Sequence, residues 1–201
     1  MKVLVLSPYH ENISKTISET GDTFVQYCEK FDATWFTDNG FDFVVSFGYP
    51  YLIGKDLLTT IGDRIINLHI SYLPYCRGSH CNFWSHVEKT PSGVTIHRID
   101  AGIDTGNILF QKEVAVDIKL HTFASSYKLL IQEIEELFRL NWSQIRSNEL
   151  PGDPQDPSSA SFHADRDLEP MRKYLTDGWD TRISDCIQNI LDNPELSKNK
   201  V

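Results

Sequence analysis

Two apolar, β-branched residues, Ile65 and Ile66, run straight into the polar stretch NLHISYLPYCRG. A short run of this kind reads as a buried strand whose last residues emerge from the sheet. Side chains alternate along a strand, so Asn67 and His69 project from one face, with Cα atoms roughly 6.6 Å apart. Pro74 and the Arg77-Gly78 pair then turn the backbone out of the sheet. An amide and an imidazole are left side by side at a strand's carboxyl end. In open α/β sheets that is where ligands bind.

The rest of the chain supplies the sheet this strand needs. Lys2 to Ser7 reads as a first buried strand, Asn12 to Glu19 as a helix, Thr23 to Tyr27 as a thinner second strand, and Phe41 to Phe47 as a strong one ended by Gly48. A short helix is expected over Lys55 to Thr60. Another is expected over Ser79 to Glu88, with Ser79 as its cap. Gly93 to Ile99 and Ile108 to Val116 are β-rich and joined by the loop DAGIDTGN. From a Thr122 cap, Phe123, Tyr127, Leu130, Ile131, Ile134, Leu137 and Phe138 keep a helical period to about Ile145. LPGDPQDPSS then reads as a linker. The last fifty residues are too few for a second core and are expected to drape over the first. Strands alternating with helices indicate an α/β sheet, parallel in its first half.

Charge narrows the partners. The formal net charge is −9 and no Lys/Arg run appears, which argues against nucleic acid. No apolar stretch is long enough to span a bilayer, and MKVLVLSPYHEN is too short in its apolar run for a secretory signal. Cys28, Cys76, Cys81 and Cys186 show neither a disulfide-scaffold nor a CxxC spacing, which fits a reducing cytoplasm. His69, Cys76, His80, Cys81 and His86 crowd together, yet they match no zinc pattern and there is no H-E-x-x-H, so no metal is expected.

Asn67, His69 and Asp104 form a candidate catalytic set. The amide and a protonated imidazole are donors able to hold oxygen that gains charge during acyl transfer. A carboxylate would orient the imidazole, favour its charged form and accept a proton through water. There is no G-x-S-x-G elbow, and no Cys has an obvious His partner in sequence. The nucleophile would then come from the substrate, as an amine attacking a bound acyl donor. Spacing alone leaves the alternative open: a histidine beside a strand end is often a satisfied structural residue, and an Asp in a Gly-rich loop is often a turn-former.

NLHISYLPYCRG and GVTIHRIDAGIDTGNIL resemble the motifs of the folate-dependent formyltransferase family. The Asn-x-His motif falls on Asn67 and His69 and the loop Asp on Asp104. The resemblance is strong over Phe41 to Ile145 and weaker elsewhere. It implies an α/β, Rossmann-like formyltransferase fold with a mostly parallel sheet, trimmed in its N-terminal half. Residues 1–147 would be the catalytic domain, and 148–201 a linker and C-terminal extension packing on it. It further implies an enzyme that passes the formyl group of formyl-tetrahydrofolate, as donor, to a primary amine. Asn67 and His69 would steady the formyl oxygen, and Asp104 would raise the His69 pKa and relay the amine's proton, with a bell-shaped pH profile. The donor would lie against Gly48, Tyr49, Tyr51, Leu52 and Ile53 on one side and Asp100, Gly102 and Ile103 on the other.

Within the family, the variants NLHISYLP, NFW at Asn82 to Trp84, and GVTIHRID are most similar to sugar N-formyltransferases. The first loop, SPYHENIS, has no glycine for a phosphate cradle. A tRNA-binding domain with a basic face is not expected either. The implied acceptor is a small-molecule amine, most simply a nucleotide-linked amino sugar, with an amino acid or hydroxylamine as an alternative. A non-catalytic folate binder is the competing reading. Tyr9, Arg77 and Asn82 are the acceptor-side candidates. Neither nucleic acid nor membrane is implied as a partner, and a homodimer is compatible.

Overall fold

A computed structural model describes residues 1–9 and 11–193. The last eight residues of the expected C-terminal extension, and His10 in the first loop, lie outside the described residues.

In chain order the N-terminal half comprises β1 (Lys2–Leu6), α1 (Glu11–Glu19), β2 (Thr23–Gln26), α2 (Ala33–Asp38), β3 (Phe43–Ser46), α3 (Lys55–Ile61) and β4 (Ile65–His69). There follow β5 (Arg77–Gly78), α4 (Cys81–Glu88), β6 (Gly93–Arg98), β7 (Ile108–Glu113) and α5 (Phe123–Ile145). The tail contributes β8 (Phe162–His163), β9 (Thr176–Trp179) and α6 (Ile183–Leu191), with 3₁₀ turns over Pro157–Ser159 and Asp165–Tyr174. The six-stranded sheet has the order β2-β1-β3-β4-β6-β7. Its first four strands are parallel, whereas β6 runs antiparallel to both β4 and β7. This is the mostly parallel α/β sheet expected from the alternating pattern.

Both sheet faces are covered, which is why residues 3–6 of β1 and 43–45 of β3 are apolar without alternation. On one face Val3, Val5, Phe43, Val45 and Ile66 pack against Ile13 and Ile17 of α1 and Ile134, Phe138 and Trp142 of α5. On the other, Leu4, Leu6, Val44 and Ile65 meet Phe36 of α2 and Leu57 and Ile61 of α3. The start of α5 is fixed by a reciprocal cap: Ser125 N–H donates to Thr122 Oγ1 (3.1 Å) and Thr122 N–H to Ser125 Oγ (2.9 Å). Its far end is tied to the loop after α1 by Arg146, whose guanidinium meets Asp22 at 2.6 and 2.7 Å.

Three features differ from the sequence expectation. Helix α4 begins at Cys81, and Ser79 is not its cap. The Ser79 N–H is engaged by the His163 carbonyl (2.8 Å) in the ribbon that pairs β5 with β8, so the chain is still extended there. The segment read as a linker is ordered: Asp153 exchanges both backbone hydrogen bonds with Ile108 at the edge of the sheet (2.8 Å each). The tail also does more than drape. Leu168, Tyr174, Leu175, Ile183 and Cys186 join Cys76, Phe83 and Trp84 in a separate apolar cluster. Helix α2, unmarked by periodicity in an aromatic stretch, is held by Asp32, which accepts from the Trp35 N–H (2.8 Å).

Candidate active site

A cleft of about 1180 Å³ opens over the carboxyl ends of β3 and β4. Strand alternation puts Asn67 and His69 on the cleft side of β4, and the β4–β6 register places His97 directly opposite Asn67. Residues paired across adjacent strands point the same way, so His97 joins the group. The Asn67 Nδ2 lies 3.3 Å from His97 Nε2 and donates to Asp104 Oδ1 at 3.4 Å.

Asp104 comes from the β6–β7 loop and sits in the left-handed region at φ 53°, which Asp tolerates better than most residues. Two arrangements hold it there. Asp100 Oδ1 accepts from the Gly102 N–H (3.0 Å) and Thr105 Oγ1 (2.5 Å), curling the loop. Gln155, from the presumed linker, donates to the carbonyls of Asp104 (2.9 Å) and Gly106 (2.8 Å). The Asp104 carboxylate then accepts the Gly78 N–H on Oδ2 (2.9 Å) and lies 3.5 Å from His97 Nε2 and 3.8 Å from His69 Nδ1.

Protonation follows from these partners. Carbonyl oxygens only accept, so His97 carries its proton on Nδ1, toward the Arg98 carbonyl (2.7 Å), and His69 carries one on Nε2, toward the Cys76 carbonyl (3.3 Å). Burial would raise the Asp104 pKa, but the charge of His69, the hydrogen bond and charge of His97, and the Gly78 N–H outweigh it. The carboxyl is held well below its ordinary range. For His69 the balance goes the other way. Burial lowers its pKa more than the charge of Asp104 raises it, so the ring titrates below 6.5. The expectation that Asp104 lifts the His69 pKa is thereby corrected: desolvation wins, and the imidazole is neutral at neutral pH.

The structure brings every donor-side candidate to the cleft wall: Gly48, Tyr49, Tyr51, Leu52 and Ile53 face Asp100, Gly102 and Ile103 across it. Gly48 has φ 66°, and a Cβ there would stand 3.1 Å from Tyr9 Cε2. Tyr49 is anchored by its hydroxyl, which donates to the Glu29 carbonyl (2.7 Å). Leu52 is 82% exposed at the rim. An apolar slot floored by backbone fits a flat heteroaromatic ring.

The acceptor-side candidates divide. Tyr9 lines the cleft and is half-exposed. Asn82 lines it too, but both ends of its amide are committed: Nδ2 donates to the Phe123 carbonyl (2.9 Å), and Oδ1 accepts from Ser126 Oγ (3.0 Å). Arg77 does not line it. Its guanidinium donates twice to Gln155 Oε1 (3.0 and 2.8 Å), behind the Asp104 loop. Arg77 as a substrate ligand is therefore corrected to a support for the strap that carries Gln155.

His97 and Gln155 carry no signal in the sequence, and Cys81 stands out there only in the His/Cys cluster that matches no zinc pattern. The Cys81 thiol lies 3.7 Å from His69 Nε2 and donates to the same Cys76 carbonyl, a Cys–His proximity that only the turn after β4 creates. Burial raises the Cys81 pKa well above 9.0, so it is a thiol and no nucleophile. Among the described residues no group of three or more His, Cys, Asp or Glu is placed to hold a metal ion, and no helix is long and apolar enough to cross a membrane.

The family described as formyl transferase matches residues 9–138. Among solved structures, the chain is similar to the formyltransferase PseJ from Anoxybacillus kamchatkensis, in complex with UDP-4,6-dideoxy-4-formamido-L-AltNAc and tetrahydrofolate. Identity is 40%, coverage 92% of this chain and 97% of that one, and the TM-score 0.87. The N-formyltransferase from Helicobacter canadensis, in complex with folinic acid and dTDP-3-aminofucose, shares the fold at a TM-score of 0.67 and 22% identity, over 85% of this chain and 72% of that one. Among curated proteins, methionyl-tRNA formyltransferase of Anaeromyxobacter dehalogenans is 36% identical over 125 residues. That match covers 60% of this chain and 39% of the relative's length.

Proposed function

The chain belongs to the formyl transferase family, and on that premise we propose that it moves the formyl group of formyl-tetrahydrofolate to the primary amine of a nucleotide-linked amino sugar. The observation that carries this reading is the gathering of Asn67 and His69, at one strand tip, around the Asp104 carboxylate, 3.4 and 3.8 Å from it. The relative that matches nearly end to end was solved with a nucleotide-linked formamido sugar and tetrahydrofolate. The methionyl-tRNA relatives share a shorter stretch, and a formal net charge of −9 is unsuited to tRNA. Residues 1–147 form the catalytic domain in this reading and 148–201 its extension, of which the part described, to residue 193, packs on it. Four free cysteines suit a reducing cytoplasm.

The apolar slot between Gly48–Ile53 and Asp100–Ile103 holds the donor, which supplies the formyl carbon. Asn67 has two amide hydrogens, whose partners His97 Nε2 and Asp104 Oδ1 lie at the long distances of 3.3 and 3.4 Å, and one of them turns to an oxygen that gains charge during transfer. His69, neutral through burial, keeps its Nδ1 bare on the side facing Asp104. It takes the proton released by the attacking amine and returns it to the donor's nitrogen as the bond from that nitrogen to the formyl carbon breaks. The 3.8 Å to Asp104 Oδ2 is too long for a hydrogen bond and short enough to stabilise the imidazolium. His97 fixes the Asn67 amide from the opposite strand.

The test is incubation with formyl-tetrahydrofolate and a panel of nucleotide-linked amino sugars, followed by mass analysis for product heavier by one formyl group. Turnover that persists unchanged in both His69→Ala and Asp104→Ala would defeat the assignment. Product formed only from an amino acid or hydroxylamine would favour the alternative acceptor.

A further inference from the structure

The cleft is much longer than the donor slot and the catalytic group together. Beyond His69 it is walled by the start of α5 and by the tail, and these carry side chains to which no role has been given. Lys128 is the only lysine or arginine lining the cleft among the described residues. It stands one turn beyond Ala124, on the α5 face turned to the cleft, and no carboxylate pairs with it among the described residues. Opposite, Trp179 stacks on His80 with ring centroids 5.8 Å apart and planes 26° apart, and it remains 40% exposed. His80 is itself held by Asp165, which accepts from Nε2 at 2.8 Å. Phe162, brought alongside by the β5–β8 pairing, is half-exposed on the same wall.

An indole fixed on one face and open on the other is a stacking platform, and exposed aromatics of this kind are otherwise costly. Trp179 lies beside Phe123, at a centroid distance of 6.3 Å, at the first turn of α5. Lys128 is five residues further along, about 7.5 Å up the helix axis. Trp179 and Lys128 thus border successive turns of one helix on the same cleft, in the order in which a ribose separates a base from its phosphates.

We propose that the tail and the first turns of α5 form the nucleotide half of the acceptor site, with Trp179 stacking on the base and Lys128 meeting the diphosphate. This rests on the acceptor being nucleotide-linked, and it moves acceptor recognition from the first loop and Arg77 to residues of α5 and the tail. It also gives the acidic chain a single local cation where a phosphate would need one.

The test separates binding from turnover. UDP and dTDP are titrated calorimetrically into wild-type protein, Trp179→Ala, Trp179→Phe, Lys128→Glu and Lys128→Arg, with folding checked by circular dichroism. Expected is a loss of affinity of about tenfold or more in Trp179→Ala, the size of a lost base-stacking contact. A comparable loss is expected in Lys128→Glu, with substantial recovery in the Phe and Arg variants. In turnover, the same variants raise the KM of the nucleotide-linked amine and leave kcat and the donor KM in place. Nucleoside diphosphates bound equally well by all five proteins would overturn the proposal. So would formylation of an amine without a nucleotide by a protein that binds neither UDP nor dTDP, and formyl transfer itself would then stand. Diphosphate binding that weakens as expected, in a protein that formylates nothing, supports the nucleotide site and defeats the transferase reading instead.

Discussion

Asp104 sets its Oδ2 3.8 Å from His69 Nδ1 and still does not keep that imidazole charged, because burial costs the cation more than the carboxylate returns. The pair is thus an anion beside a neutral ring, poised to gain a proton rather than to give one.

The acidic limb of the pH–rate profile follows from this. In the proposed scheme the reacting species are the neutral amine and neutral His69, whose pKa lies below 6.5, so kcat/KM divided by the fraction of acceptor in its neutral form should hold as pH falls past 6.5 and drop only below it. In Asp104→Asn the charge that raises the His69 pKa is gone, and kcat should fall by about 10²- to 10⁴-fold, as for loss of a group assisting proton transfer. A limb centred at or above 6.5 in the wild type after that division would contradict the neutral-imidazole scheme.

Gln155 offers a test of how the Asp104 loop is held. Gln155→Ala removes two donors from the carbonyls of residues 104 and 106 and leaves the Arg77 fork without its acceptor. A kcat lower by up to about 10²-fold is expected from a carboxylate displaced by about 1 Å, with the acceptor KM little changed. Arg77→Ala should behave the same way. If Arg77→Ala instead raised the acceptor KM alone, the arginine would be a substrate ligand after all.

Thiol chemistry should separate the four cysteines. Cys28 is exposed, whereas Cys76, Cys81 and Cys186 are buried; burial lifts Cys81 well above 9.0 and Cys186 to about 11. Iodoacetamide at pH 8 should therefore add one group to the native protein, at Cys28, as read by peptide mass mapping. Rapid labelling of Cys81 would mean that the turn beside His69 opens far more readily than its packing implies.

Acid stability has a contribution from Asp22. Burial raises its pKa, but hydrogen bonds from Arg146, the Met1 amino group and Thr20, with the charge of Arg146, bring it down from 3.8 to about 2. A depressed carboxylate stabilises the fold above its unfolded value and stops doing so as pH falls through the folded one. Asp22→Asn should thus cost about 2 kcal/mol at neutral pH, with the difference from wild type shrinking between pH 4 and pH 2 in denaturant titrations.

The parts of the site written along one strand or one loop are the parts readable in the sequence. Strand alternation is enough to pair Asn67 with His69, and a Gly- and Asp-bearing loop is enough to suggest Asp104. His97 is invisible by that route, because its place opposite Asn67 depends on β6 running antiparallel to β4, and register between distant strands has no local signature. Gln155 sits in a stretch whose prolines signal irregular backbone and say nothing of where it docks. The His69 pKa was misjudged for a related reason: proximity to a carboxylate can be guessed from motifs, whereas the depth of burial that outweighs it is a property of the whole cleft.

The β5–β8 ribbon has one more implication. The sheet that presents Asn67, His69 and His97 is complete by β7, while the wall carrying Phe162 and Trp179 is added afterwards, paired to β5 and packed through its own apolar cluster. On the proposed function, the earlier stretch handles the one-carbon cargo, and the later one, with the start of α5, chooses who receives it. Grafting a foreign stretch beyond the strap should redirect delivery without rebuilding the machinery that makes it.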